Sequence, residues 1–144
     1  MSDVDTGLPL NFDFAKAKVH LLQARSIRNL VKNQRGEIMV IVDKETFEQE
    51  VEKSDLPVIV DIWGPQCGPC LALMPSVEKL SGEYDGKIKF CKLNAAENRR
   101  LCMKLKVMAL PTILFYKGGE NVKRLSSQDV SLEAIKAEAD NLLA

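Results

Sequence analysis

The six residues Val58–Trp63, VIVDIW, set the strongest limit on the fold. A strand with one wet face alternates apolar and polar residues, whereas this run is apolar at every position but one and must be covered on both faces. Further strand-like runs stand at Ile38–Val42 (IMVIV), 87–93 (KIKFCKL), Thr112–Lys117 (TILFYK) and 122–125. Helical segments separate them: 43–51, with Asp43 or Thr46 near its start; 67 to about 84, with an internal Pro75 that should kink it; 97–105; and 131–143, with Ser131 as N-cap. Strands alternating with helices predict an α/β fold, a central sheet flanked by helices on both faces. Gly118-Gly119 reads as a tight hairpin turn, so the last two strands are antiparallel and the sheet is mixed.

The chain before this body differs in charge. Residues 13–36 hold six basic side chains against Asp13 alone. From 13 to about 33, Ala15, Val19, Leu22, Ile27, Leu30 and Val31 fall on one arc at 100° per residue, with Lys18, Arg25, Arg28, Lys32 and Arg35 opposite. We expect an amphipathic helix stopped at Arg35-Gly36, making residues 1–36 a mostly helical, basic extension and 37–144 the main domain. The extension's apolar arc reads as docking on the body with the basic arc solvated; binding an acidic partner or self-association, and weak salt-sensitive contact with membrane or nucleic acid, are the alternatives.

Composition excludes several classes. With 46% hydrophobic and 28% charged residues the chain is globular. Its 20 basic and 20 acidic residues cancel, which argues against a dedicated nucleic-acid or membrane-surface binder. No apolar run approaches the roughly 20 residues of a membrane span, and the first residues, MSDVDTG, lead into no apolar core of an export signal. A reducing cytoplasm is the expected compartment. The 4 cysteines are then redox thiols or metal ligands rather than a disulfide framework.

Cys67-Gly68-Pro69-Cys70 decides between those two. A C-x-x-C at the start of a helix places its first sulfur at the positive end of the helix dipole, beside unpaired N–H groups, which favours thiolate over thiol and lowers the pKa of Cys67. Cys70 lies one turn further in, within bonding reach. Pro69 fixes the first turn without losing a needed N–H. A zinc site would need four ligands, and the remaining candidates, Cys91, Cys102 and His20, form no second pair at ligand spacing. The expectation is a redox-active pair and no metal or other cofactor. Cys91 and Cys102 read as buried small hydrophobes, Cys102 being the more open to reaction, and Met74, Met103 and Met108 as core or substrate-surface filler.

Residues 38–144 resemble the thioredoxin family. The resemblance rests on Val60-Asp61-Ile62-Trp63, Cys67-Gly68-Pro69-Cys70, Pro75, Lys92-Leu93-Asn94 and Leu110-Pro111-Thr112, in this order. It implies a protein-disulfide reductase that works through Cys67 and Cys70, re-reduced by thioredoxin reductase or an equivalent donor and acting on disulfide-containing proteins. It implies that Asp61 lies under Cys70 and handles its proton, with Lys92 as the partner of Asp61. It implies that the Leu110–Pro111 bond is cis and turns the Leu110 backbone toward Cys67 to pair with an extended substrate. Trp63, Gln66, Gly68 and Pro69 would complete the substrate-contacting surface.

The sequence departs from the family pattern at three places. Gln66 stands where a tryptophan usually precedes the first cysteine, Leu71 where a lysine often follows the second, and Ser126-Ser127 where a glycine follows the last hairpin strand. A side chain at that glycine position should narrow the range of partners. These departures raise an alternative, a module dedicated to one partner recognised through the N-terminal helix; a non-catalytic binding subunit is the remaining one.

Overall fold

The computed structural model describes residues 30–32 and 38–144. Among the described residues six strands form one sheet in the order β1-β2-β4-β3-β5-β6, where β1 is Leu30–Lys32, β2 Ile38–Val42, β3 Val58–Trp63, β4 Lys89–Asn94, β5 Thr112–Lys117 and β6 Glu120–Ser126. β2, β4 and β3 run parallel; β1, β5 and β6 pair antiparallel, so the sheet is mixed as expected. The helices are α1 (Gly68–Glu83), α2 (Arg99–Lys104) and α3 (Leu132–Leu143). Between β2 and β3 lies a π-helical turn at Glu48–Glu52. It is launched by reciprocal bonds: Asp43 Oδ1 accepts from the N–H of Thr46 at 3.0 Å, and Thr46 Oγ1 from the N–H of Asp43 at 3.0 Å.

The two faces of the sheet carry separate cores. Ile59, Phe90, Ile113 and Phe115 pack with Val77 and Leu80 of α1 and Ile135, Ala139 and Leu142 of α3. The alternate residues Val58, Val60, Ile62, Cys91, Leu93 and Leu114 pack with Phe47 and Val51 near the π-helical turn and Cys102 of α2. Because successive strand side chains point to opposite faces and both faces are covered, β3 is apolar at every position except Asp61. Each large side chain buried this way contributes about 1.5–3 kcal/mol.

One expectation is corrected. Leu30–Lys32 is a strand, not the end of a helix: Leu30, Val31 and Lys32 pair with Val40, Met39 and Ile38. The helical arc assigned to these residues loses to the free backbone edge of β2, which supplies ladder partners a three-residue segment cannot find alone. The rest of the expected helix, with the stop at Arg35-Gly36, lies outside the described residues.

Other local features follow the sequence. Gly118 and Gly119 both take positive φ (61° and 83°), as a tight hairpin turn demands, and a Cβ on Gly119 would lie 2.7 Å from the Glu52 carbonyl oxygen. Ser131 caps α3 by accepting from the N–H of Ala134 at 3.1 Å. β6 forms an outer edge whose Glu120, Lys123 and Arg124 are exposed, with a register shift in its ladder to β5 between Phe115 and Tyr116.

Candidate functional site

All three parallel strands end at one edge of the sheet, and the loop leaving β3 there carries the cysteine pair. The N–H of Cys67 donates to the Gly64 carbonyl at 3.1 Å, closing the turn that delivers Cys67 to the N-cap of α1. Cys67 and Cys70 form a disulfide, with their Cα atoms 5.3 Å apart. The Cys70 N–H donates to Cys67 Sγ at 3.3 Å, one of the orphan donors of the first helical turn. The pair is asymmetric: Cys67 is half-buried, and Cys70 is only 2% exposed. Gln66, Gly68 and Pro69 are exposed around Cys67, and Trp63, at the end of β3, is half-buried.

The loop before β5 faces this turn. A Cβ on Gly64 would meet Leu110 Cδ1 at 3.1 Å, so the absence of a side chain at Gly64 admits Leu110 beside the cysteine loop. The Leu110–Pro111 bond is cis. Pro111 is buried, and its carbonyl accepts from the N–H of Ser127 at 2.8 Å. Thr112 Oγ1 donates to the Ala109 carbonyl at 2.6 Å. Ser127 takes φ 50°, so the residue replacing the expected glycine keeps a left-handed backbone despite its side chain.

Asp61 is 2% exposed and shares the α1-covered face of β3 with Ile59. Burial pushes its carboxyl up to about 7; the Lys92 ammonium opposes that rise and the Glu78 carboxylate adds to it. Asp61 and Lys92 are register neighbours across β3 and β4. The ammonium of Lys92, however, hydrogen-bonds the carboxylate of Glu78 on α1. Sequence reasoning paired Lys92 with Asp61 and missed Glu78. The available signal was that α1 holds only two acids, Glu78 and Glu83, above the sheet face that carries Lys92.

The other two cysteines lie apart from this edge. Cys91 and Cys102 are both buried free thiols of the opposite core. Burial pushes the Cys91 thiol up to about 12 and raises that of Cys102 as well. Among the described residues no three His, Cys, Asp or Glu side chains converge on a possible metal position, and no helix is long and apolar enough to cross a membrane. His20 lies outside the described residues.

Comparison with known proteins agrees with this geometry. A family model described as thioredoxin matches residues 38–141. A thioredoxin of Peptoclostridium acidaminophilum is 42% identical over 100 residues, which cover 69% of this chain and 91% of the relative. A thioredoxin of Acetoanaerobium sticklandii is 39% identical over 99 residues, covering 69% of this chain and 94% of the relative. Thioredoxin 1 of Nostoc is 43% identical over 81 residues, covering 56% and 76%. A match that runs from β2 into α3 takes in the whole sheet except β1 together with the cysteine turn: the chain belongs to the thioredoxin family and is a thiol–disulfide oxidoreductase.

Proposed function

We propose that this chain reduces protein disulfides, with Cys67 as nucleophile and Cys70 as resolving thiol. The observation that carries this assignment is the asymmetry of the pair: only Cys67 reaches solvent, at the N-cap of a 16-residue helix. In the reduced form the Cys67 thiolate attacks one sulfur of a substrate disulfide. The substrate S–S bond breaks, a mixed disulfide forms and one substrate thiolate leaves. Cys70 then loses its proton and attacks Cys67 Sγ; the Cys67–Cys70 bond forms and the second substrate thiolate departs. Two electrons pass to the substrate.

Asp61 receives the Cys70 proton in this scheme. Its carboxyl sits on the sheet face beneath α1, and with its pKa at about 7 it exchanges protons at neutral pH. Lys92, held by Glu78, supplies the positive charge that limits the rise. Trp63, Gln66, Gly68, Pro69, Leu110 and Pro111 form the surface against which an extended substrate segment lies, the Leu110 backbone offering strand-like pairing.

A thioredoxin reductase or equivalent dithiol donor restores the pair, in a reducing cytoplasm. Residues 37–144 act as the redox domain and the basic residues 1–36 as an appendage. Gln66 and the side chain of Ser127 favour a second reading within the same chemistry, a module for a narrow set of partners. Insulin reduction with a dithiol donor tests the first: turnover is expected, and a wild-type protein without it would overturn the proposal. Removing residues 1–29, which leaves β1 in place, tests the second. Activity unchanged on every disulfide protein tried would remove the appendage from partner choice.

A further inference from the structure

The stretch from Asn98 to Gly119 contains five basic residues and no acidic one. Four of them, Arg99, Arg100, Lys104 and Lys106, are exposed on α2 and the turn that follows it. On the same segment stand the two most exposed large apolar side chains among the described residues, Met103 at 77% and Met108 at 92%. Lys44, Arg99 and Arg100 line a cleft of about 280 Å³, with Glu97 as its one acidic member. Lys44 follows the end of β2, and the N–H of Ala95, just past β4, donates to the Trp63 carbonyl at 2.8 Å. The cleft therefore opens at the same sheet edge as the cysteine turn.

The surface is held in place from behind. The guanidinium of Arg124 on β6 forks onto the end of α2, donating to the Leu105 carbonyl at 2.6 Å and the Lys106 carbonyl at 2.6 Å. Lys106 turns there with φ 55°, and Met108 follows two residues before Leu110. A surface fixed before binding loses little conformational freedom when a partner lands on it.

We infer that α2 and residues 105–110 form a docking surface for an acidic segment of the disulfide-bearing protein, one carboxylate seated between Lys44, Arg99 and Arg100 and an apolar side chain against Met103 and Met108. The inference rests on the redox reading and adds the class of substrate to it. Charge complementarity selects the occupant. The chain's own residues 13–36, six basic and one acidic, carry the wrong sign to fill it. Methionine suits the apolar part of such a contact because its unbranched side chain adapts to different shapes.

Two measurements separate docking from chemistry. The first is an anisotropy titration of the oxidised protein with two labelled peptides of equal length, one rich in Asp and Glu around a Leu and one with Asn and Gln in their place. The acidic peptide is expected to bind more tightly, with an affinity that falls as salt rises, and Arg99→Glu/Arg100→Glu to weaken it about tenfold. Arg99→Gln/Arg100→Gln should weaken it less, and covers the case in which the double reversal fails to fold. Equal binding of the two peptides, or a preference that survives both variants, would overturn the inference. So would a wild-type self-association that the charge reversal abolishes without any preference between peptides, since a second copy would then be the occupant. The second measurement is single-turnover reduction of neutral bis(2-hydroxyethyl) disulfide, followed by the fluorescence of the only tryptophan, Trp63. The variants are expected to match wild type here. A wild type that fails this reaction removes the redox reading, while the titration still decides the surface.

Discussion

Two pairs of cysteines sit in this molecule in opposite circumstances. Cys67 and Cys70 stand at the start of a helix, joined to each other, one of them open to solvent. Cys91 and Cys102 lie in the core on the face of the sheet that α2 covers, among Val60, Ile62 and Leu93. The residue type is the same; position relative to a helix end and to water separates a redox couple from packing material. The burial that pushes the Cys91 thiol up to about 12 keeps it protonated and inert.

The sharpest way to break this contrast is to remove one thiol from each pair. Cys67→Ser should lower insulin-reduction turnover by about a thousandfold or more, to the rate of the dithiol donor alone. Cys91→Ala and Cys102→Ala should stay within about twofold of wild type, and a collapse of turnover in either would erase the distinction. Next in size is Asp61→Asn. Wild-type resolution of the mixed disulfide should quicken as pH rises through about 7, where Asp61 ionises. In the variant that rise should vanish and the step slow by about tenfold or more, as seen by trapping the mixed disulfide with rapid acid quench.

The same variant has a stability signature of opposite sign. The folded Asp61 holds its proton up to about 7 against an ordinary value of 3.8, so the penalty for ionising it is absent below pH 3.8 and weighs progressively more as pH rises to about 7. Asp61→Asn should therefore stabilise the protein at pH 8, by an amount on the order of 4 kcal/mol. Urea midpoints at pH 8 and near pH 4 check this; an equal effect at both would refute it. A smaller change is expected on the inert side. Cys91→Ser, which puts a hydroxyl among aliphatic side chains, should destabilise by about 1–3 kcal/mol without altering turnover. The smallest belongs to Ser127→Gly, which relieves a left-handed backbone and should add at most about 1 kcal/mol while widening the range of disulfides reduced. An unchanged substrate range would detach Ser127 from specificity.

What could be read in advance was local. The strands Val58–Trp63 and Thr112–Lys117, the hairpin glycines, the Ser131 cap and the helix opening at Cys67 each carry their signal within a few residues. What escaped depended on distant partners. Leu30–Lys32 fitted a helical arc, and only pairing with Ile38–Val40 makes it a strand. Lys92 finds Glu78 because α1 packs on the sheet face that carries Lys92, and the Arg124 fork joins groups 18 and 19 residues apart. Ser127 was noticed as a departure, but its positive φ appears only in the folded backbone.

The charged rim of β6 has a consequence for how this protein meets extended polypeptides. Glu120, Lys123 and Arg124 would each have to shed water before a foreign strand could zip along that border, and the shifted register beside Tyr116 spoils the match further. Visiting chains are thus turned away from the longer of the two sheet edges among the described residues. A molecule whose work is to grasp loosened, disulfide-bearing segments can in this way handle them at one spot without being recruited into their aggregates.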